Sequence, residues 1–191
     1  MTKMQTISVV TSVFNCEETV GQTIASVAAQ DYPNVEHVIQ DGQSTDGTLN
    51  VIDSLKIPGL MIESVRDGGI YDGINKGIRR SSGEIVGLLH SDDFFAGPKI
   101  LSQVAQIMED PEIDGVYGDL DYVSAQDTDK IIRKWRSGHY TERDLRRGWM
   151  PPHPTVYLRR SVFDHWGLFD SYFRIVSDLV AIRRYLLYGV F

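Results

Sequence analysis

Short apolar runs rich in β-branched residues alternate with segments of helical length, and this alternation limits the fold more than any other feature. Strands are predicted at 6–14, 35–42, 60–65, 84–91 and 114–123, and helices at 17–30, 49–56, 71–81 and 98–109. Strand–helix–strand alternation of this kind is typical of a largely parallel sheet with helices on both faces. The sequence therefore predicts an α/β fold.

The composition changes after about residue 124. Residues 124–150 are polar and charged, and they predict irregular structure or a loosely packed helix. A short strand at 154–160, a helix after it and an apolar helix at 178–191 are expected to follow. Because the chain stops on apolar residues without a polar tail, we expect a single domain, 1–191, whose C-terminal part is truncated.

Charge and cysteine content exclude some classes of protein. The 191 residues carry a formal net charge of −7, which argues against tight binding to bare nucleic acid. The single cysteine, Cys16, cannot form an intrachain disulfide, as is usual in a reducing cytoplasm. No apolar run reaches the roughly 18 residues of a membrane span, and no signal peptide is visible. A cytoplasmic protein is expected.

Polar residues stand at the ends of three predicted strands. Thr11 and Ser12 end the first, with Asn15 close behind, Asp41 ends the second, and Asp92 and Asp93 end the fourth. Ligands of parallel α/β sheets bind outside this edge, so the carboxylates of the separate strand ends are expected to converge on one divalent cation. Adjacent carboxylates repel each other, and a Mg²⁺ or Mn²⁺ ion that completes its shell with substrate phosphates would offset the repulsion. The alternative for each is a turn or a helix N-cap.

Four sequence motifs together resemble the family 2 glycosyltransferases. They are "ISVVTSVFN", "SVAAQDYPNVEHVIQDGQSTDGT", "RDGGIYDGINKGIRRSSGEIVGLLHSDD" and "HPTVYLRRSVFDHWGLFD", in that order. The resemblance implies the GT-A fold, a Rossmann-like nucleotide-diphospho-sugar transferase fold, and sugar transfer with inversion. Within the family the chain is similar to bacterial enzymes that build exopolysaccharide, O-antigen or colanic-acid-type units.

The resemblance also implies a donor site. Its residues would be Thr11, Asn15, Asp41, Asp67, Lys76 and Asp92 for the nucleotide, and Asp93 for a Mn²⁺ or Mg²⁺ ion. Thr11, Asp41 and Asp67 would surround the base, and Asp92 would lie near the ribose. Lys76 would approach the phosphates, although a solvated helix lysine is an equal alternative.

A base and an acceptor side are implied near the end of the chain. Asp178 matches the family's catalytic base, with a helix N-cap as the alternative. His153 would face the acceptor or the diphosphate, with a buried, hydrogen-bonded histidine as the alternative. Tyr71, Asp72 and Asn75 would support the site rather than react.

The expected partners are a nucleotide-sugar, UDP-linked by preference, and a saccharide or lipid-linked acceptor. Residues 1–123 would bind the donor, and residues 124–191 would form an incomplete acceptor side. Peripheral contact with the inner face of the membrane is expected through a missing C-terminal part. Two alternatives stay open: a receiver-like phosphoryl-transfer domain, and a module that binds nucleotide-sugars without turnover.

Overall fold

A computed structural model describes residues 4–173 and 175–188. The strands are β1 Ile7–Val13, β2 Val35–Asp41, β3 Met61–Ser64, β4 Ile85–Leu88, β5 Gly115–Val116, β6 Leu120–Val123, β7 Ile131–Trp135 and β8 Tyr157–Arg159. The helices are α1 Val20–Ala28, α2 Thr48–Leu55, α3 Ile70–Arg80, α4 Ile100–Ile107, α5 Glu142–Arg146, α6 Arg160–Trp166 and α7 Ser177–Tyr188, with a 3₁₀ turn at His153–Thr155.

Six strands form the central sheet in the order β3-β2-β1-β4-β8-β5. The first four are parallel, and β8 is antiparallel to both of its neighbours. The predicted α/β fold with a mainly parallel sheet is therefore confirmed. The chain moves from β1 outward through β2 and β3, and then returns to place β4 on the other side of β1. Ligands of open α/β sheets bind at such a reversal, outside the carboxyl ends of the strands.

Strand β1 is buried on both faces, which fixes how the helices lie around it. Val10 packs with Ile74 and Ile78 of α3, whereas Val9 packs with Leu101 of α4. Helix α3 lies close to the sheet, because a Cβ added at Gly77 would come within 2.4 Å of a methyl carbon of Val10. This close approach places the first turn of α3 beside the carboxyl end of β1.

Two predictions for the middle of the chain are wrong. The predicted strand 114–123 is divided between β5, in the central sheet, and β6, which pairs with β7 in a separate antiparallel sheet. Residues 131–135, predicted as irregular, form that second strand. Most side chains of the hairpin are exposed, and Arg133 covers the rings of Tyr122 and Trp135. Because the strand buries no apolar face, its sequence lacks the alternation that predicts strands.

The predicted C-terminal helix is present as α7, and residues 189–191 of that prediction lie outside the described residues. Strand β8 belongs to the central sheet, so the second half of the chain contributes directly to the main core. None of the helices within 4–173 and 175–188 combines the length and apolar character needed to cross a bilayer.

His37 should make the fold sensitive to acid. Its buried ring lies 3.0 Å from Thr11 Oγ1, and burial lowers its pKa to about 3. Below pH 6.5, the ordinary pKa of histidine, His37 binds a proton in the unfolded chain but not in the folded one. The free energy of unfolding therefore falls as the pH drops from 6.5 towards 3. At pH 5 we expect His37 to lower the free energy of unfolding by about 2 kcal/mol relative to neutral pH. Denaturant unfolding of the wild type and of His37→Gln between pH 7 and pH 4.5 measures the effect.

The matched control is His139→Gln, because His139 is exposed. The His37 variant should lose less stability than the wild type on acidification, and the His139 variant should follow the wild type. Equal pH dependence in all three proteins would contradict the prediction.

Candidate active site

Two adjoining cavities open where the strand order reverses. Ser12 at the end of β1, Ser91 after β4 and Ile70 at the start of α3 line both of them. The Asp178 cavity, of about 340 Å³, is also lined by Tyr71, Leu88, His90, Asp92, His153, Phe169 and Asp178. The Asp67 cavity, of about 520 Å³, is also lined by Val13, Phe14, Gly42, Arg66, Asp67 and Gly69. The carboxyl edge of the sheet therefore carries one long, divided depression.

Asp178 lies in the first turn of α7 and is held from two other elements. The Tyr71 hydroxyl of α3 donates to its Oδ1 at 2.9 Å, and His153 Nδ1 lies 3.1 Å from its Oδ2. Burial and the bond to Asp178 raise the pKa of Tyr71, so this hydroxyl stays protonated and donates. Both carboxylate oxygens thus bond outside their own helix, and the side chain of Asp178 faces a cavity.

His153 joins Asp178 to the end of β4. Its Nε2 lies 2.6 Å from Nε2 of His90, and the two rings meet edge to face at 4.8 Å. Burial and the neighbouring His90 lower the pKa of His153 to about 4, although Asp178 opposes the shift. The ring is therefore neutral at pH 7, and its contact with Asp178 is a hydrogen bond rather than an ion pair.

The acidic pair lies in a short turn after β4. The Asp93 N–H donates to the His90 carbonyl at 3.1 Å, and the Thr23 hydroxyl of α1 donates to the Asp93 carbonyl at 2.8 Å. Asp92 is exposed and lines the Asp178 cavity, whereas Asp93 is half-buried beside it. Burial raises the pKa of Asp93; His90 opposes this shift and Asp92 adds to it. A half-buried carboxylate beside a second one would be stabilised by a cation.

Asp67 lies in the loop between β3 and α3, where its Oδ1 accepts from the Gly69 N–H at 3.0 Å. Two glycines make room for the carboxylate. A Cβ would come within 2.8 Å of Asp67 Oδ2 if added at Gly42, and within 2.9 Å if added at Gly73. The carboxylate therefore packs against the backbone at Gly42 and Gly73, and it lines one cavity together with Val13 and Gly42.

Thr11 and Asp41 are placed differently from the sequence interpretation. The fully buried side chain of Thr11 bonds His37 on the far face of the sheet, so Ser12 presents its side chain to the cavities instead. Asp41 is also fully buried, and it accepts from the Ser44 hydroxyl and the Ser64 hydroxyl at 2.5 Å each. The expected free carboxylate at the end of β2 instead holds the following turn. Base contacts by these two residues stay predictions.

Asn15 and Lys76 do not line either cavity. Asn15 Oδ1 accepts from the Thr45 N–H at 2.8 Å, which ties the loop after β1 to the loop after β2. The Lys76 ammonium donates to the Arg66 carbonyl at 2.8 Å and pairs with Asp72 at 3.0 Å. Both side chains support loops around the Asp67 cavity, and their contacts with a nucleotide stay predictions.

The expected convergence of carboxylates from three strand ends on one cation needs correction. Within residues 4–173 and 175–188, no group of three or more His, Cys, Asp or Glu side chains is placed to hold a metal. The Asp41 carboxylate accepts a hydrogen bond from Ser44 in the turn after β2, and Asp67 and Asp92 line different cavities. The Asp92-Asp93 turn nevertheless fits an ion held by one or two carboxylates, because Mg²⁺ sites of that kind take their remaining ligands from water and phosphates.

Among the polar residues that line the cavities, Ser12, Arg66, His90 and Ser91 had no predicted role in the site. Ser12 is the neighbour of Thr11, and the two point to opposite faces of the sheet. Both faces of β1 are buried, so the hydrophobic pattern could not tell which face carried the site. His90 differs, because its position two residues before the acidic pair was a usable signal.

Residues 8–175 match the protein family described as Glycosyl transferase family 2. A curated relative, the UDP-Glc:alpha-D-GlcNAc-diphosphoundecaprenol beta-1,3-glucosyltransferase WfaP of Escherichia coli, is 29% identical over 102 residues. That match covers 53% of this chain and 41% of the relative. The chain thus spans about four-tenths of the length of the first curated relatives it matches.

Two solved structures show the same fold. S. aureus TarS 1-349 in complex with UDP-GlcNAc matches with a TM-score of 0.76 and 21% identity, over 95% of this chain and 53% of that one. The mannosyltransferase PcManGT from Pyrobaculum calidifontis, in complex with GDP-Man and Mn²⁺, matches with a TM-score of 0.66 and 20% identity, over 89% of this chain and 49% of that one. The predicted GT-A fold is confirmed.

Proposed function

The chain belongs to glycosyl transferase family 2, and from that premise we propose that it transfers a sugar from a nucleotide-sugar to a hydroxyl group of a saccharide or lipid-linked acceptor. The observation that carries the proposal is the pair of adjoining cavities. The Asp92-Asp93 pair lies beside their junction, and one cavity contains the Asp178 carboxylate, which Tyr71 and His153 hold in place. The preferred donor is UDP-linked, and the transfer inverts the anomeric configuration.

The donor would lie across the two cavities. Its nucleoside would occupy the larger Asp67 cavity, beside the ends of β1 and β2, where the Asp67 carboxylate can accept from a base N–H. Its sugar would enter the Asp178 cavity past Ser12 and Ser91. Arg66 lines the Asp67 cavity and would supply positive charge near the diphosphate. This orientation directs the anomeric carbon towards Asp178.

Asp178 would act as the general base. An acceptor hydroxyl within hydrogen-bond reach loses its proton to the carboxylate while its oxygen attacks the anomeric carbon. The bond to the nucleoside diphosphate breaks on the opposite face of the sugar, so the configuration inverts. The apolar side chains of Leu88 and Phe169 line the same cavity and restrict the access of water. Residues 124–191 would form the acceptor side of this single domain.

A Mn²⁺ or Mg²⁺ ion bound at Asp93 would neutralise charge on the departing diphosphate. The half-buried position of this carboxylate, next to Asp92, supports the assignment. Asp92 lines the adjoining Asp178 cavity and would approach the ribose across the junction of the two cavities.

The test is a transfer assay with a panel of UDP- and GDP-sugars, Mn²⁺, and an acceptor carrying GlcNAc-diphosphate on a lipid, the acceptor class named for the E. coli relative. We expect a product with one of the UDP-sugars, with an anomeric configuration opposite to that of the donor. Retained configuration would contradict the inverting mechanism.

Two further outcomes separate the alternatives. Donor binding without transfer to any acceptor would favour a binding module that lacks turnover. A stable acyl-phosphate formed with a small phosphodonor would favour the receiver-like reading, which the family match already opposes.

A further inference from the structure

Asp178 follows an exposed stretch of the chain, although Ser177 beside it is fully buried. The residues just before α7 are exposed, Ile175 by 76% and Val176 by 45%. Val176 has a φ of 72°, a left-handed conformation that is costly for a β-branched residue. The two carboxylate oxygens of Asp178 are held by groups outside α7, Tyr71 and His153.

Donor and acceptor requirements fix the tautomers of both histidines. An ionised carboxylate only accepts hydrogen bonds, so the hydrogen of neutral His153 must be on Nδ1, which faces Asp178. Its Nε2 is then an acceptor, and the 2.6 Å contact requires His90 to donate from its own Nε2. The chain of bonds leads from the base to His90, whose carbonyl accepts from the Asp93 N–H.

We propose that His153 is a positioning residue for Asp178, held in its Nδ1–H tautomer by His90. The inference rests on the proposed function, because it assigns a role around that same base. His153 aims Asp178 at the acceptor hydroxyl, and His90 anchors the arrangement to the turn that carries the acidic pair. A misplacement of about 1 Å in a catalytic group can cost on the order of 10²-fold in rate.

Two substitutions of His153 separate its two bonds. His153→Asn places an amide N–H near the position of Nδ1 and so retains the donor to Asp178, whereas His153→Gln places its amide near the position of Nε2 and faces His90. We expect His153→Asn to retain kcat within a few-fold of the wild type. His153→Gln and His153→Ala should lower kcat by about 10²-fold, with the affinity for UDP unchanged in all three, because His153 does not line the nucleoside cavity.

The tautomers give a readout that does not depend on turnover. Long-range ¹⁵N–¹H spectra of the wild-type histidine rings at pH 7, assigned with His153→Asn and His90→Asn, should show His153 protonated on Nδ1 and His90 protonated on Nε2. His153 protonated on Nε2, or on both nitrogens, would overturn the inference.

Failure of the inference differs from failure of the proposed function. An active wild type with an equally active His153→Ala variant would overturn the positioning role alone. A wild type that transfers no sugar from any donor would overturn the proposed function and the positioning role with it. Thermal melting of each variant shows whether a lost rate reflects lost folding, and in that case the wild-type spectra decide.

Discussion

Asp178→Asn should lower kcat for sugar transfer by about 10²–10⁴-fold, the usual contribution of a general base. The amide has nearly the same shape as the carboxylate and still accepts from the Tyr71 hydroxyl, which now donates to Asp178 Oδ1 at 2.9 Å. It cannot take a proton from an acceptor hydroxyl. Because Asp178 lines the smaller cavity and not the one assigned to the nucleoside, UDP binding should be unchanged. Steady-state transfer kinetics and calorimetric UDP titration measure the two effects.

The control for this variant is Asp164→Asn, because Asp164 is an exposed residue of the neighbouring helix α6. It removes the same charge outside the cavities and should leave kcat unchanged. An Asp178→Asn protein with wild-type kcat would mean that another group accepts the proton. Equal loss of UDP binding and of kcat would instead mean that Asp178 holds the donor.

The fold could be predicted from sequence wherever a strand or helix buries an apolar face. Strands β1, β2 and β4 and helices α1 to α4 follow that rule, and the structure contains all of them near their predicted bounds. Strand β3 is exposed along its length, and it was predicted from its short apolar run alone. The β6–β7 hairpin was missed, since its exposed side chains leave no hydrophobic period to detect. Its strands are stabilised by backbone pairing and by Arg133 over aromatic rings, which a hydrophobic pattern does not reveal.

The site could be predicted as an edge of the sheet, but not side chain by side chain. Asp67, Asp92, His153 and Asp178 line the cavities, because each follows or faces a strand end at the reversal. Asp41 does not line them, since the serines at 44 and 64 offer closer partners for its carboxylate. A sequence motif gives the place of a polar residue along the chain, whereas competing hydrogen bonds decide whether it faces a ligand.

Asp93→Asn should abolish the metal-dependent protection of the fold by UDP. With UDP and Mn²⁺ at about 100 times the dissociation constant, the wild type should gain about 2.7 kcal/mol, or roughly 5–10 °C in Tm for a chain of this size. The variant should gain less than about 1 °C under the same conditions, because the ion loses its carboxylate ligand. Thermal unfolding with UDP alone, Mn²⁺ alone and both together measures the effect.

The melting temperature of Asp93→Asn without UDP or metal separates a metal-ligand role of Asp93 from a role in folding. Burial raises the pKa of Asp93, and Asp92 adds to that shift, so the charge of Asp93 opposes folding in the absence of a cation. Asp93→Asn should therefore melt at the same temperature as the metal-free wild type or above it, whereas a carboxylate needed for folding would give a lower Tm. Asp53→Asn, at an exposed position of α2, should keep the full wild-type response. UDP protection of equal size without Mn²⁺, or in the Asp93 variant, would show that the nucleotide binds without an ion at this turn.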